Sequence, residues 1–256
     1  SGNNLSGNTM VVRKSLPAIF VDTRTNTVLE NGQVDVFRFQ VSASEAGLVS
    51  LAKLPLRLAL VDSVANNLPL TLSNFAVYRD GQDLGAWQVG QRAVGYAIYT
   101  TNNQLLSQRD GRLVYNANVA SFSFSINFYD EEVIEPNSPK NYIVRATASN
   151  VNTGNVSHDS INTYIVDSDN SPATYYLDMQ LNQNGDVNRN DPIFRLNSNP
   201  QLTGRGIATN LIWSDYSGTD GDGNHIQEAV RSSKDWVNGW KIGNIGAQYS
   251  RTLTAN

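Results

Sequence analysis

The residues able to do chemistry are few. Two histidines, His158 and His225, stand far apart, and there is no cysteine. Ser157-His158-Asp159-Ser160 has the letters of a hydrolase triad. A nucleophile, its base and the group behind the base must converge from separate elements, so four consecutive residues do not form one. This stretch is expected to be a polar hairpin turn. Neither a Gly-x-Ser-x-Gly elbow nor a His-Glu-x-x-His pair is present. Without cysteine there are no disulfides, thiolate nucleophiles or thiolate zinc sites.

Carboxylates offer more. Asp130, Glu131, Glu132 and Glu135 form an acidic run, but a glycosidase pair flanks its bond from two elements. Neighbouring acids just after a strand are expected to be a solvated loop. Calcium is the more serious candidate metal, because it takes six to eight oxygens from Asp and Asn with Gly at sharp turns. Asp215, Asp220, Asp222, Asn224 and Glu228 make one candidate set, and Asp186, Asn188 and Asn190 a second. Asp167-Ser168-Asp169-Asn170 is a third acidic turn. None matches the twelve-residue EF-hand loop, so ordinary Asx turns are the competing reading. Trp87, Trp236 and Trp240 are candidate ligand or partner contacts through ring stacking, whereas Trp213, after Leu211-Ile212, reads as core.

The elements that would position these residues are strands. Phe122, Phe124, Ile126 and Phe128 alternate with Ser121, Ser123, Ser125 and Asn127, the period of a half-buried strand. Phe37, Phe39 and Val41 repeat the pattern, as do Tyr142, Val144, Ala146 and Ala148, and Leu54, Leu56, Leu58 and Leu60. Pro55 has no amide donor, so its strand is expected to lie at an edge or to begin after it. Asn31-Gly32, Asp80-Gly81, Asp110-Gly111, Asn184-Gly185 and Asn238-Gly239 supply hairpin turns. The one weak helical stretch is His225 to Ser233. Short strands without βα alternation predict an all-β, immunoglobulin-like β-sandwich, with a second smaller β-module or C-terminal extension.

Three regions follow. Residues 1–14 read as a mobile N-terminal segment in which Met10, Val11 and Val12 make either the first strand of the chain's own sandwich or a donor strand for a neighbouring subunit. Residues 15–168 read as the β-sandwich, and 169–256 as a smaller β-rich C-terminal module, with the boundary in Asp167–Ala173.

Composition narrows function. Charged residues are only 16%, and Asn, Ser, Thr and Gln carry the polar balance, which suits the solvent faces of sheets. The net charge of −4 has no basic stripe, so nucleic-acid binding has little support. No apolar run approaches the roughly 20 residues of a spanning helix.

Two motifs carry a family resemblance. They are Leu211-Ile212-Trp213-Ser214-Asp215 and Asp235-Trp236-Val237-Asn238-Gly239-Trp240, with Asn141–Ala148 and Val36–Leu54 upstream. Together they resemble secreted surface proteins predicted in small-genome candidate-phylum bacteria. The resemblance implies an immunoglobulin-like extracellular architecture and names no catalytic residue. The leading expectation is a non-enzymatic extracellular or cell-surface protein that self-assembles as a filament or surface layer (S-layer). Its partners would be further copies of itself or neighbouring surface proteins, and calcium the one candidate cofactor. The alternative is an adhesin or carbohydrate-binding module that takes glycans, and a secreted hydrolase ranks below both.

Overall fold

The computed structural model describes residues 12–63, 68–86, 88, 95–101, 104–153, 158–166, 211–218, 236–239 and 242–256. The protein is an all-β sandwich of two antiparallel sheets. In the first sheet, β1 (Pro17–Val21) pairs with β2 (Gly32–Ala43), β2 with β9 (Lys140–Ser149), and β9 with β4 (Thr71–Arg79). The far side of β4 carries β5 (Gln82–Asp83) and β7 (Arg112–Val114) at its two ends. The second sheet is centred on β3 (Val49–Val61). One side of β3 pairs with β8 (Ser121–Ile134), and β8 with β6 (Tyr96–Thr100). Its other side pairs with β11 (Ile212–Ser214) and then with β10 (Ser160–Ile165). The strands β12 (Trp236–Asn238) and β13 (Arg251–Thr254) lie beyond these.

The alternating residues face inward as their period requires. Phe37, Phe39, Val41, Tyr142, Val144, Leu54, Leu56 and Leu58 are buried in one core. Phe39 stacks on Tyr142 at 5.0 Å, and Tyr142 meets Phe128 of the second sheet at 6.2 Å. Burying each such side chain contributes about 1.5–3 kcal/mol. Trp213 is core, as its neighbours implied. Asp80 and Gly81, at φ 49° and 85°, make the tight turn from β4 to β5.

Three expectations need correction. Pro55 lies in the middle of a central strand, not at an edge. Its missing donor falls where β11 gives way to β10, and its carbonyl accepts from Val166 N at 3.1 Å. The acidic run is not a solvated loop, because β8 continues to Ile134. The register shifts between Leu51 and Lys53, where β3 exchanges faces, while Glu132 keeps the alternation of Phe124, Ile126 and Phe128 and so lies on the core face. There it pairs with Arg79 at 2.8 Å and accepts from the Tyr142 hydroxyl at 2.9 Å. Finally, Ser125 and Asn127, expected on a wet face, are buried together with Ala97, Lys53 and Ile212 beside them.

The described strands after residue 169 extend the second sheet of the sandwich. The boundary at Asp167–Ala173 and the His225–Ser233 stretch lie outside the described residues. Arg251 of β13 is a clasp at this sheet edge. Fully buried, it donates from Nε to Asp35 O (3.0 Å), from Nη1 to Asp22 O (2.8 Å), and from Nη2 to Asn26 O (2.7 Å) and Thr25 O. Burial pushes its guanidinium below the ordinary value, while Asp22 opposes the shift.

Candidate functional site: the two poles of the sandwich

Strand ends gather at two poles. At the first, Gly32 pairs with Ala148, Thr71 with Ser149 and Val114, and Ser160 with Val61 and Thr254. At the second, Ala43 pairs with Pro17 and bridges to Pro136, while Val49 pairs with Ile134.

Exposed apolar side chains segregate to these ends. Val28, Val61, Leu68, Val114 and Val119 are 36–55% exposed, and all sit at the first pole. Val28 bridges to Thr254, and Leu60 N donates to Ala120 O beside Val119. Val12 (81%), Leu16 (52%) and Phe20 (65%) mark the second pole and the β1 edge leading from it. Tyr249 is the remaining large exposed hydrophobic among the described residues. Singly exposed apolar residues are ordinary, but their grouping at the strand ends marks these ends as candidate contact surfaces.

The first pole is held by buried carboxylates. Asp159, fully buried, accepts from Ser63 N at 2.8 Å, Ser63 Oγ at 3.0 Å and Asn152 N at 2.7 Å. Asp62 accepts from Leu70 N at 2.8 Å, and the Asn31 side chain from Val151 N at 3.0 Å. Asp159 of the discounted triad letters therefore fastens a loop, next to an exposed His158.

The second pole anchors the start of the described chain. Lys14 N donates to Asp215 Oδ2 at 2.9 Å, and Ser15 Oγ to Gly47 O at 2.8 Å. Ser15 also shares a hydrogen bond with Ser44, and Lys14 covers Gly47 so closely that a Cβ there would meet its Cε at 3.2 Å. Val12 stands clear of these ties. Further on, β1 pairs with β2 and, among the described residues, with no other strand. Its outer edge is blunted by Pro17 and by Asn244 Nδ2, which caps Ile19 O at 2.9 Å.

These positions bear directly on the sequence candidates. The structure brings together two that the sequence kept apart, the N-terminal segment and Asp215. The Asp215 carboxylate is used for structure, since it also accepts from Ser217 N at 3.2 Å and Ser217 Oγ at 2.5 Å. The other metal candidates, Asp220, Asp222, Asn224, Glu228, Asp186, Asn188 and Asn190, lie outside the described residues, as do Met10, Val11, Trp87 and Trp240. Trp236 is described through its backbone alone, in β12. Among the described residues no group of three His, Asp or Glu side chains could hold a metal ion. No helix of the described residues is long and apolar enough to cross a membrane. The valines of the first pole were missed, because they are single exposed residues scattered between positions 28 and 119 and only the topology gathers them.

No protein-family model matches the chain, and no curated protein is similar to it. One similar solved structure is the CBM3a-L domain with flanking linkers from scaffoldin cipA of the cellulosome of Clostridium thermocellum. It is 15% identical over 62% of this chain and 89% of that one, with a TM-score of 0.23. A likeness this distant does not bear on function.

Proposed function

We propose that the protein is a non-catalytic extracellular structural subunit that assembles head to tail. The N-terminal segment of one copy, through Val12 and Leu16, docks on the valine-bearing pole of the next. The observation that carries this reading is the segregation of exposed apolar side chains to opposite poles, with Phe20 on the β1 edge and Tyr249 standing apart. Contacts between different surfaces of identical subunits propagate when the rotation does not close, giving filaments or sheets. Composition supports the extracellular placement: low charge, no cysteine and a polar balance of Asn, Ser, Thr and Gln.

Sedimentation velocity across a concentration series tests it. The expected result is growth beyond dimer as concentration rises, and loss of that growth in Val12→Asp with an unchanged melting temperature. A wild-type chain that stays monomeric at every concentration contradicts the reading.

A further inference from the structure

The buried row on the outer side of the second sheet has a composition that packing alone does not call for. Across four strands it runs Ala97, Asn127, Lys53 and Ile212, in direct register. All four are buried, Lys53 and Asn127 completely. Directly paired side chains on neighbouring strands start from Cβ atoms about 4.5–5.5 Å apart, within easy reach of a lysine side chain. The methyl of Ala97 and the side chain of Ile212 close the two ends of the row.

The amide is oriented. Ser125 Oγ, itself buried, donates to Asn127 Oδ1 at 3.2 Å, and Asn127 Nδ2 makes no hydrogen bond. A buried amide nitrogen left in this state is unfavourable. We infer that Lys53 and Asn127 form an intramolecular isopeptide bond joining β3 to β8. In this step the lone pair of Lys53 Nζ attacks Asn127 Cγ, and the Cγ–Nδ2 bond breaks. Nδ2 leaves as ammonia, carrying the proton that Nζ gives up. No oxidant, reductant or further reactant is consumed. Ser125 donates to the oxygen on which negative charge develops, the arrangement that favours acyl transfer. Loss of the amide nitrogen also removes the unpartnered buried group.

The nucleophile is available at neutral pH. Burial pushes the Lys53 ammonium down to about 7, so a large share of it is the neutral, nucleophilic amine. The link would be made by the folded chain itself. It is independent of the head-to-tail reading, since none of these residues lies at a pole.

Intact mass spectrometry of the purified full-length chain tests the proposal. The expected mass is one ammonia below that of the sequence, and proteolysis should release a branched peptide joining Lys53 to Asn127. Lys53→Arg should return the chain to its full sequence mass. A wild-type chain at full sequence mass overturns the proposal. So does an ammonia loss that maps elsewhere, such as a succinimide at Asn31-Gly32.

Discussion

The poles and the broad outer flank of the first sheet handle exposure in opposite ways. On the flank, Asp35 pairs with Arg38 and Arg145 at 2.8 Å each, Arg38 reaches Asp22 at 3.3 Å, and Arg145 lies 4.7 Å over the Tyr78 ring. Gln40 and Asn141 bond alongside at 3.0 Å. These groups satisfy one another across β2, β9 and β4 and leave little demand for a partner. The poles instead leave apolar side chains in water on loops that buried carboxylates hold in place. The contrast teaches that composition averages hide function here: a modest overall charge is spent on one flank, and the ends are left bare.

Four variants break or sharpen this contrast. The largest effect is expected from Val61→Asp combined with Val119→Asp. Carboxylates placed in a buried contact carry a heavy desolvation penalty, so assembly should weaken by at least about 100-fold in sedimentation while melting stays unchanged. Next is Asp215→Ala, which releases Lys14 and Ser217. It should cost about 1.5–3 kcal/mol in denaturant unfolding and weaken assembly by a smaller factor, because the lead-in to the docking segment loses its tie.

Asp35→Asn belongs to the flank and should do the reverse, lowering stability by about 1–2 kcal/mol with assembly of the folded chain unchanged. The pH profile gives the sign. Burial alone would raise the Asp35 carboxyl, but hydrogen bonds and charge from Arg145 and Arg38 hold it below its usual value of 3.8. Asp22 sits at about 2: against the effect of burial, it is lowered by the Thr25 side chain, the Arg24 and Thr25 amides and the Arg251 charge. Both carboxylates therefore contribute stability that is fully present above about pH 4 and lost as pH falls toward 2. Acid titration of Asp35→Asn should show a shallower loss than wild type. The smallest effect is expected from Tyr78→Ala, whose half-buried cation–π contact with Arg145 is worth about 0.5–1 kcal/mol in thermal melting, again with no change in assembly.

Much of the sandwich was legible because a period of two has one meaning. Phe37, Phe39, Tyr142, Val144 and the Leu54–Leu60 series could pack only as strands with one buried face, and they do. Pro55 misled because a missing donor marks an edge only where a partner strand is due, and β3 changes partners at that point. Glu132 misled because a run of acids reads as the end of a strand, although β8 continues and the alternation of Phe124, Ile126 and Phe128 carries Glu132 and Ile134 to the core face. Arg251 gave no signal, since its acceptors are main-chain carbonyls more than two hundred residues away. The same holds for the site. Val12 was visible as part of an apolar segment, but the pole that would receive it is assembled from residues far apart in sequence.

The central claim is that two different ends of one chain meet, and mixing two disabled variants tests it most directly. Val12→Asp keeps the valine pole and loses the docking segment, whereas Val61→Asp with Val119→Asp keeps the segment and loses the pole. Each alone should sediment as a monomer. Mixed in equal amounts, they should form a one-to-one dimer and nothing larger, because one good contact remains and no end is left to extend. A mixture that stays monomeric, or either variant polymerising alone, would contradict the account.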